Sequence, residues 1–450
     1  MALIRARHIL QYRCHTAYPE DLTVRVRGAG RPDAPRPSRV SVGDLASTGG
    51  RMRVLFTCTS TIFGLGSFLP LTPIARTMAD VGHEVAFATP TSVRGNIEAA
   101  GFRWIKAGTE DDDPEMTALR ARQLTLHGPA RRQFTFEEIF GGVLPRRIVP
   151  DVLALAGTWR PDLFVRDCTE YGGMIAAELL DIPHAKVEVH AAGFLPQATA
   201  MLYEPLQRLR ATFGLPERSI QDLMNQYLVL TPFPAVLNTL SDPIPPSTHH
   251  FRGLPADGTN SVLPPWIDGI GSRPLVYVSL GTVFSGDRGL EIFSKLLAGL
   301  RDVDAEIVLT VGNDLEPAAF GPQPEHIHME RYLPLRALLS RCSLVLFHGG
   351  SGTLGHVIAN GLPMVILPLG ADQFDNAARC AELGASRTLD QEDLSPEHIR
   401  EVVLDVLHTP SYRQAAERLQ AEFNALPGPE FAVELLERLA RDKAPIIAAR

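Results

Sequence analysis

The residues best equipped for chemistry stand in two short runs, His348-Gly349-Gly350-Ser351-Gly352-Thr353 and, a little downstream, Asp372-Gln373. The apolar run before the first, residues 343–347, reads as a buried strand. The chain breaks at the glycines and is expected to restart as a helix over 353–360, stopped by Gly361. A strand that turns through glycines into a helix gathers unpaired N–H groups and a positive dipole end at one point, which suits a phosphate. A helix start that merely contains glycine is the plainer alternative. A second apolar run, 364–369, carries Asp372 and Gln373 to the same sheet edge. Asp372 also suits the N-cap of a helix expected over 375–383, and capping does not exclude ligand binding. A diphosphate seat beside a carboxylate and an amide that grip hydroxyls is what a nucleotide sugar requires, so the pairing points to a sugar-transfer enzyme.

These runs need a framework, and the chain supplies repeated β-α units. A strand over 52–60 precedes a helix over 70–80 and a strand over 83–88; the unit recurs as strand 163–166, helix 172–180 and strand 184–189. Residues 241–274 hold seven prolines and four glycines, a composition expected to keep neither helix nor sheet and to act as a linker. Strands then return over 275–280, 306–311 and 344–347, with helices over 290–300 and 335–339. The alternation predicts an α/β fold of two doubly wound Rossmann-like domains, 52–240 and 275–425, facing across a cleft, with ligands at the carboxyl ends of the strands. Residues 105–150 and 195–238 interrupt the pattern as insertions at the mouth of the first sheet, where specificity often resides. A helix over 430–440 follows Leu426-Pro427-Gly428-Pro429, so 426–450 is expected to cross back to the first domain.

Composition narrows the class. An apolar share of 45% and a charged share of 21% are those of a globular protein, and a net charge of −8 without a Lys/Arg cluster argues against a nucleic-acid partner. No apolar run reaches membrane-spanning length. Five cysteines (Cys14, Cys58, Cys168, Cys342, Cys380) lack CxxC spacing, which suits a reducing cytoplasm and gives no zinc site. No DxD-type or histidine-cluster metal site is present, no cofactor is implied, and nothing points to an oligomeric state. Residues 1–51, Arg-rich and without Lys, read as a disordered extension or as translation from upstream of a start at Met52.

From Met52 to about Leu439 the chain resembles the family 1 glycosyltransferases of the GT-B fold, nearest to bacterial enzymes that decorate macrolide, enediyne and aromatic natural products. The matching pieces are Val278-Ser279-Leu280-Gly281-Thr282, the His348–Thr353 turn, Asp372-Gln373-x-x-Asn376-Ala377, Pro264-Pro265-Trp266 and Leu426-Pro427-Gly428-Pro429. The resemblance implies that His348 and the backbone of Gly350, Ser351, Gly352 and Thr353 hold the donor diphosphate. It implies that Asp372 and Gln373 bind the sugar, that Gly281 and Thr282 lie beside the phosphates, and that Tyr332 packs on the base. Tyr332 reads equally well as ordinary core. The donor implied is a dTDP- or UDP-sugar, the acceptor a hydrophobic small molecule bound by the first domain, and the transfer inverting and metal-independent, although the fold itself does not set stereochemistry.

The acceptor side departs from the family. Relatives carry Gly-His-x-x-Pro, whose histidine deprotonates the acceptor; here Gly66-Ser67-Phe68-Leu69-Pro70 places Ser67 there, and serine is no base at neutral pH. Asp167 matches the acid that orients that histidine and is expected to serve as the base itself, directly or through Ser67 or a water. His190 is a further candidate at a strand end, with a structural role as its alternative. A nucleotide-sugar epimerase and a binding or helper protein without turnover remain as competing readings. Donor interconversion without acceptor distinguishes the first, and tight donor binding without turnover the second.

Overall fold

The computed structural model describes residues 50–59, 64–192, 194–238, 244–255, 262–281, 286–312 and 314–448. Thr282, all but the last two residues of the expected N-terminal extension and the centre of the linker lie outside them. Two parallel sheets carry the chain. The first has seven strands: β1 Arg53–Thr57, β2 Glu84–Thr89, β3 Arg103–Lys106, β4 Leu163–Asp167, β5 His184–Val187, β6 Leu228–Thr231 and β7 Thr248–His250, in the order β3-β2-β1-β4-β5-β6-β7. The second has six: β8 Leu275–Ser279, β9 Glu306–Thr310, β10 Ile327–Glu330, β11 Leu344–Phe347, β12 Met364–Ile366 and β13 Ser386–Thr388, in the order β10-β9-β8-β11-β12-β13. Both reverse strand order beside their first strand, which opens a crevice at the carboxyl ends. Apolar runs form these strands because helices cover both faces: Val54, Leu55 and Phe56 of β1 and all of β11 are fully buried.

Five helices position the site: α1 Thr72–Asp80, α2 Gly172–Leu179, α3 Ser351–Ala359, α4 Gln373–Glu382 and α5 Pro429–Asp442. Pro70 belongs to a tight 3-10 turn, Leu69–Leu71, and α1 starts two residues later than expected. α3 also starts two residues early, at Ser351, because Gly350 already takes the extended conformation of a helix entry. Asp372 precedes α4 but its side chain caps nothing; its backbone is already helical, so its carboxylate points elsewhere.

The proline-rich linker differs most from expectation. Thr248, His249 and His250 pair in parallel with Val229, Leu230 and Thr231, adding a seventh strand to the first sheet. Thr248 N–H closes the entering turn onto Pro245 O at 2.9 Å, and the ladder is joined at its two ends by Val229 N–H to Ser247 O at 2.9 Å and Phe251 N–H to Thr231 O at 3.0 Å. The first insertion is helical, over Pro114–Leu124, Gly128–Phe134, a wide π-helical stretch Thr135–Val143, and Leu144–Trp159. The second holds helices Phe194–Thr212 and Ile220–Asn225 but also strand β6, so its last part belongs to the sheet rather than to an insertion. Helix α5 packs on α1 and puts Ala432, Val433, Leu436 and Leu439 into the first domain's core, while His83 pairs with Glu437 at 2.9 Å. Residues from both halves share one apolar cluster, with Ala191, Phe233 and Leu237 among the side chains around β11 and α3.

Candidate active site

The glycine turn is built around one imidazole. A Cβ on Gly281 would stand 2.6 Å from His348 Cε1, and Gly281 already holds φ +73, so only glycine fits. On the other side a Cβ at Gly350 would fall 2.4 Å from His348 Nε2. His348 is thus seated between two glycines at the start of α3, beside the helix's unpaired N–H groups. Burial pushes its pKa down to about 4 against the opposing pulls of Asp372 and of a hydrogen bond to the Ser279 backbone, so at neutral pH it is uncharged. Its Nδ1 makes no hydrogen bond.

Asp372 and Gln373 reach the same edge but are already engaged. Asp372 Oδ2 accepts from Ser351 Oγ at 2.5 Å and from Asn376 Nδ2 at 3.0 Å. Gln373 Oε1 accepts from the N–H groups of Leu369 and Gly370 and shapes the loop that enters α4. Ala371 beside them sits at φ +52, a costly conformation for a residue with a Cβ, of a kind that concentrates at functional sites. Tyr332 is 64% exposed, which removes the reading as core.

The acceptor side corrects two expectations. Asp167 is fully buried with both oxygens occupied: Oδ2 accepts from the N–H and hydroxyl of Thr59 at 2.6 and 3.0 Å, and Oδ1 from the N–H and hydroxyl of Thr169 at 2.6 and 2.5 Å. That carboxylate ties the segment after β1 to the segment after β4 and has no geometry for taking a substrate proton. Ser67 is also fully buried, and its hydroxyl makes no hydrogen bond, so it does not meet Asp167. Next door Glu170 accepts from Thr57 Oγ1 and from the N–H groups of Gly172 and Gly173, closing the start of α2. Burial raises its pKa.

His190 has different surroundings. It is half-buried just past the end of β5, with Nδ1 3.4 Å from Cys168 Sγ. Burial, with the carboxylates of Glu188 and Asp167, pushes the Cys168 thiol well up, so the sulfur keeps its proton. Burial opposes ionisation of Glu188, yet the Lys186 ammonium 2.5 Å away and the Cys168 thiol hold its pKa below the ordinary range. Lys186 also donates to Asn225 Oδ1 at 2.8 Å. A lysine, a carboxylate, a thiol and an imidazole therefore form a continuous polar set at one strand end. Lys186 and Glu188 were missed from sequence, although Lys186-Val187-Glu188-Val189-His190 alternates polar and apolar residues at the strand period, which puts all three polar ones on one face.

The two sides meet. Ala191 N–H donates to Ser351 Oγ at 2.8 Å, and Ala192 N–H to Asn376 Oδ1 at 3.0 Å, so the segment after His190 is bonded to the glycine turn and to α4. Among the described residues no group of three or more His, Cys, Asp or Glu side chains is placed to hold a metal ion, and no helix is long and apolar enough to cross a membrane. A separate hollow of about 690 Å³, lined by Lys106, Glu110, Asp113, Arg146 and Arg147 among others, holds two ion pairs within its lining, Arg147 3.2 Å from Asp113 and Lys106 3.2 Å from Glu110.

Comparison with known proteins agrees with this geometry. The N-terminal domain model of the erythromycin biosynthesis protein CIII-like family matches residues 76–281, and its C-terminal domain model matches 294–439. Tylactone mycaminosyltransferase from Streptomyces fradiae is 29% identical over 86% of this chain and 92% of its own length. The 3-alpha-mycarosylerythronolide B desosaminyl transferase of Saccharopolyspora erythraea is 28% identical over 86% of this chain and 98% of its own. The solved glycosyltransferase VinC in complex with dTDP superposes with a TM-score of 0.70 at 26% identity, covering 87% of this chain and all of that one. With the N-terminal and C-terminal domain models matched in order along the chain, and with relatives and solved structures of one kind, this chain is a family 1 glycosyltransferase of the GT-B fold, of the natural-product (antibiotic-biosynthesis) group.

Proposed function

We propose that this enzyme transfers a deoxysugar from a dTDP-sugar to a hydroxyl of a hydrophobic small molecule, with inversion and without a metal ion. The observation that carries the reading is the seating of His348 between Gly281 and Gly350 at the start of α3, one hydrogen bond away from the segment that bears His190. The diphosphate accepts from the N–H groups of Gly350, Ser351, Gly352 and Thr353 and lies beside the His348 imidazole, and the helix dipole offsets the charge that grows as the nucleotide leaves. The second carboxyl oxygen of Asp372 and the amide nitrogen of Gln373 stand outside the bonds described above and face the sugar hydroxyls. His190 takes the acceptor proton. His190 Nδ1 lies 3.4 Å from Cys168 Sγ, and in the tautomer assigned by this proposal Nδ1–H donates to that sulfur, the thiol hydrogen goes to Glu188 and Nε2 takes the proton. The acceptor oxygen then bonds to the anomeric carbon as the bond from that carbon to the diphosphate oxygen breaks, a single displacement that inverts the centre. The names of the relatives, which transfer mycaminose and desosamine, and the dTDP bound to VinC support this choice of donor. A matrix of dTDP- and UDP-sugars against macrolactone and polycyclic aromatic aglycones, read by mass spectrometry, tests it. The expected product is a glycoside formed with stoichiometric dTDP release only when acceptor is present. Turnover with UDP-glucose alone, or on polar acceptors only, overturns the proposal.

A further inference from the structure

The bonds between the two domains have a consequence for catalysis. Asn376 is fully buried, and each of its polar atoms is committed: Oδ1 accepts from Ala192 N–H at 3.0 Å, while Nδ2 reaches Gly349 O at 2.8 Å, Ser351 Oγ at 3.0 Å and Asp372 Oδ2 at 3.0 Å. It has no atom left for a substrate. Ser351 Oγ is equally full, accepting from Ala191 N–H and Asn376 Nδ2 and donating to Asp372. Three segments are thereby joined at one buried point: the glycine turn, the Asp372 loop and the strand end that carries His190. Arg379, one turn beyond Asn376 on the same face of α4, donates to Val236 O at 3.0 and 2.7 Å and fixes that helix to the first domain a second time.

We propose that Asn376 and Ser351 are positioning residues for transfer: by holding the N–H groups of Ala191 and Ala192 they set the His190 imidazole against the donor, so that domain docking and alignment of the base are one event. The inference rests on His190 being the base. A hydrogen-bonded backbone on both residues that follow an imidazole leaves it little freedom to tilt. An error of about 1 Å in a reacting group can cost on the order of 100-fold in rate. Buried groups with no spare donor or acceptor also make this contact sharply geometric, since losing one partner leaves another unsatisfied.

The test uses the full-length enzyme with dTDP-sugar and an acceptor found by the screen above. Asn376→Ala, His190→Ala and the double variant are compared for kcat, and for affinity toward dTDP by calorimetry. Asn376→Ala is expected to lower kcat by about 30-fold while dTDP affinity stays within about threefold, and to cost less than about threefold once His190 is alanine, because coupled residues fail to add. Ser351→Ala, which keeps the backbone N–H at the phosphate seat, should repeat the pattern, and Ser351→Thr should restore part of kcat; this pair covers the case in which Asn376→Ala does not fold. Additive losses in the double variant, or dTDP binding that falls in step with kcat, overturn the positioning role. Wild-type kcat in His190→Ala instead overturns the choice of base, a separate result.

Discussion

The donor half and the acceptor half of the site are built on opposite plans. In the second domain the proposed diphosphate seat is mostly backbone, made by Gly281, Gly350 and the start of α3 around His348, and its parts lie within a short contiguous stretch apart from Gly281. In the first domain the working groups are side chains at the ends of two neighbouring strands, Cys168 after β4 and Lys186, Glu188 and His190 on β5 and just beyond it. A diphosphate is the same in every donor, so a backbone cradle has no reason to change. A proton acceptor can be supplied from any strand end that borders the cleft. Ser67 at the usual histidine position and the proposed base His190 two strands away would illustrate that freedom.

The comparison breaks most visibly at the base. His190→Ala is expected to lower kcat by about 10² to 10⁴-fold, the usual contribution of a positioned general base, with dTDP affinity unchanged. Ser67→Ala removes a buried hydroxyl without a partner and should leave both rate and stability near wild type. If the two variants exchange these outcomes in steady-state assays, the base lies after β1 as in the relatives. A smaller loss tests the cradle. Gly281→Ala forces a Cβ into the His348 ring at φ +73, and strain of about 1–3 kcal/mol predicts roughly 10 to 100-fold weaker dTDP binding by calorimetry. Unaltered affinity would mean that the nucleotide sits elsewhere.

Asp167 sharpens the contrast in another way. With four hydrogen bonds on a fully buried carboxylate, Asp167→Asn turns an amide NH₂ toward groups that are themselves donors. A loss of about 3 kcal/mol in denaturant unfolding is expected, since each orphaned buried donor costs about 1–3 kcal/mol. A strong fall in kcat at wild-type stability would return Asp167 to the mechanism.

How much of this was legible in the sequence depended on the range of the interaction. Strand–turn–helix punctuation placed four strands of the second sheet, the glycine turn and Asp372 because those signals are local, and the two-sheet α/β fold followed from β-α alternation; the short edge strands β10 and β13 were not read. Strand β7 was missed because proline and glycine counts average over a segment, whereas three residues are enough to extend a ladder. The occupied state of Asp167 depends on Thr59 and Thr169, whose hydroxyls are brought together by tertiary structure alone. Asn376 lay within a recognised run, but its partners Ala191 and Ala192 are far off in sequence and act through backbone, which leaves no trace in residue type.

The mildest effect separates ligand chemistry from fold. His348 and His356 both have folded pKa values pushed down to about 4 by burial, below the ordinary value of 6.5. Between pH 6.5 and 4 the unfolded chain therefore binds protons that the native protein does not. Each histidine costs nothing above that window and up to roughly 3 kcal/mol below it, so stability falls as pH falls. The two should respond differently to donor. A diphosphate beside His348 favours the charged imidazole and raises its pKa, so binding takes up a proton and returns part of the lost stability. His356, buried on α3 near Arg336, should gain nothing from that ligand. Titrating dTDP-sugar at pH 5.5 in buffers of different ionisation enthalpy should show proton uptake, since a sugar-linked diphosphate has no ionisation of its own in that range. His348→Gln should abolish the uptake and His356→Gln should preserve it. Uptake that survives in His348→Gln would place the diphosphate away from the glycine turn, and the contrast between a backbone cradle and a side-chain base would lose its donor half.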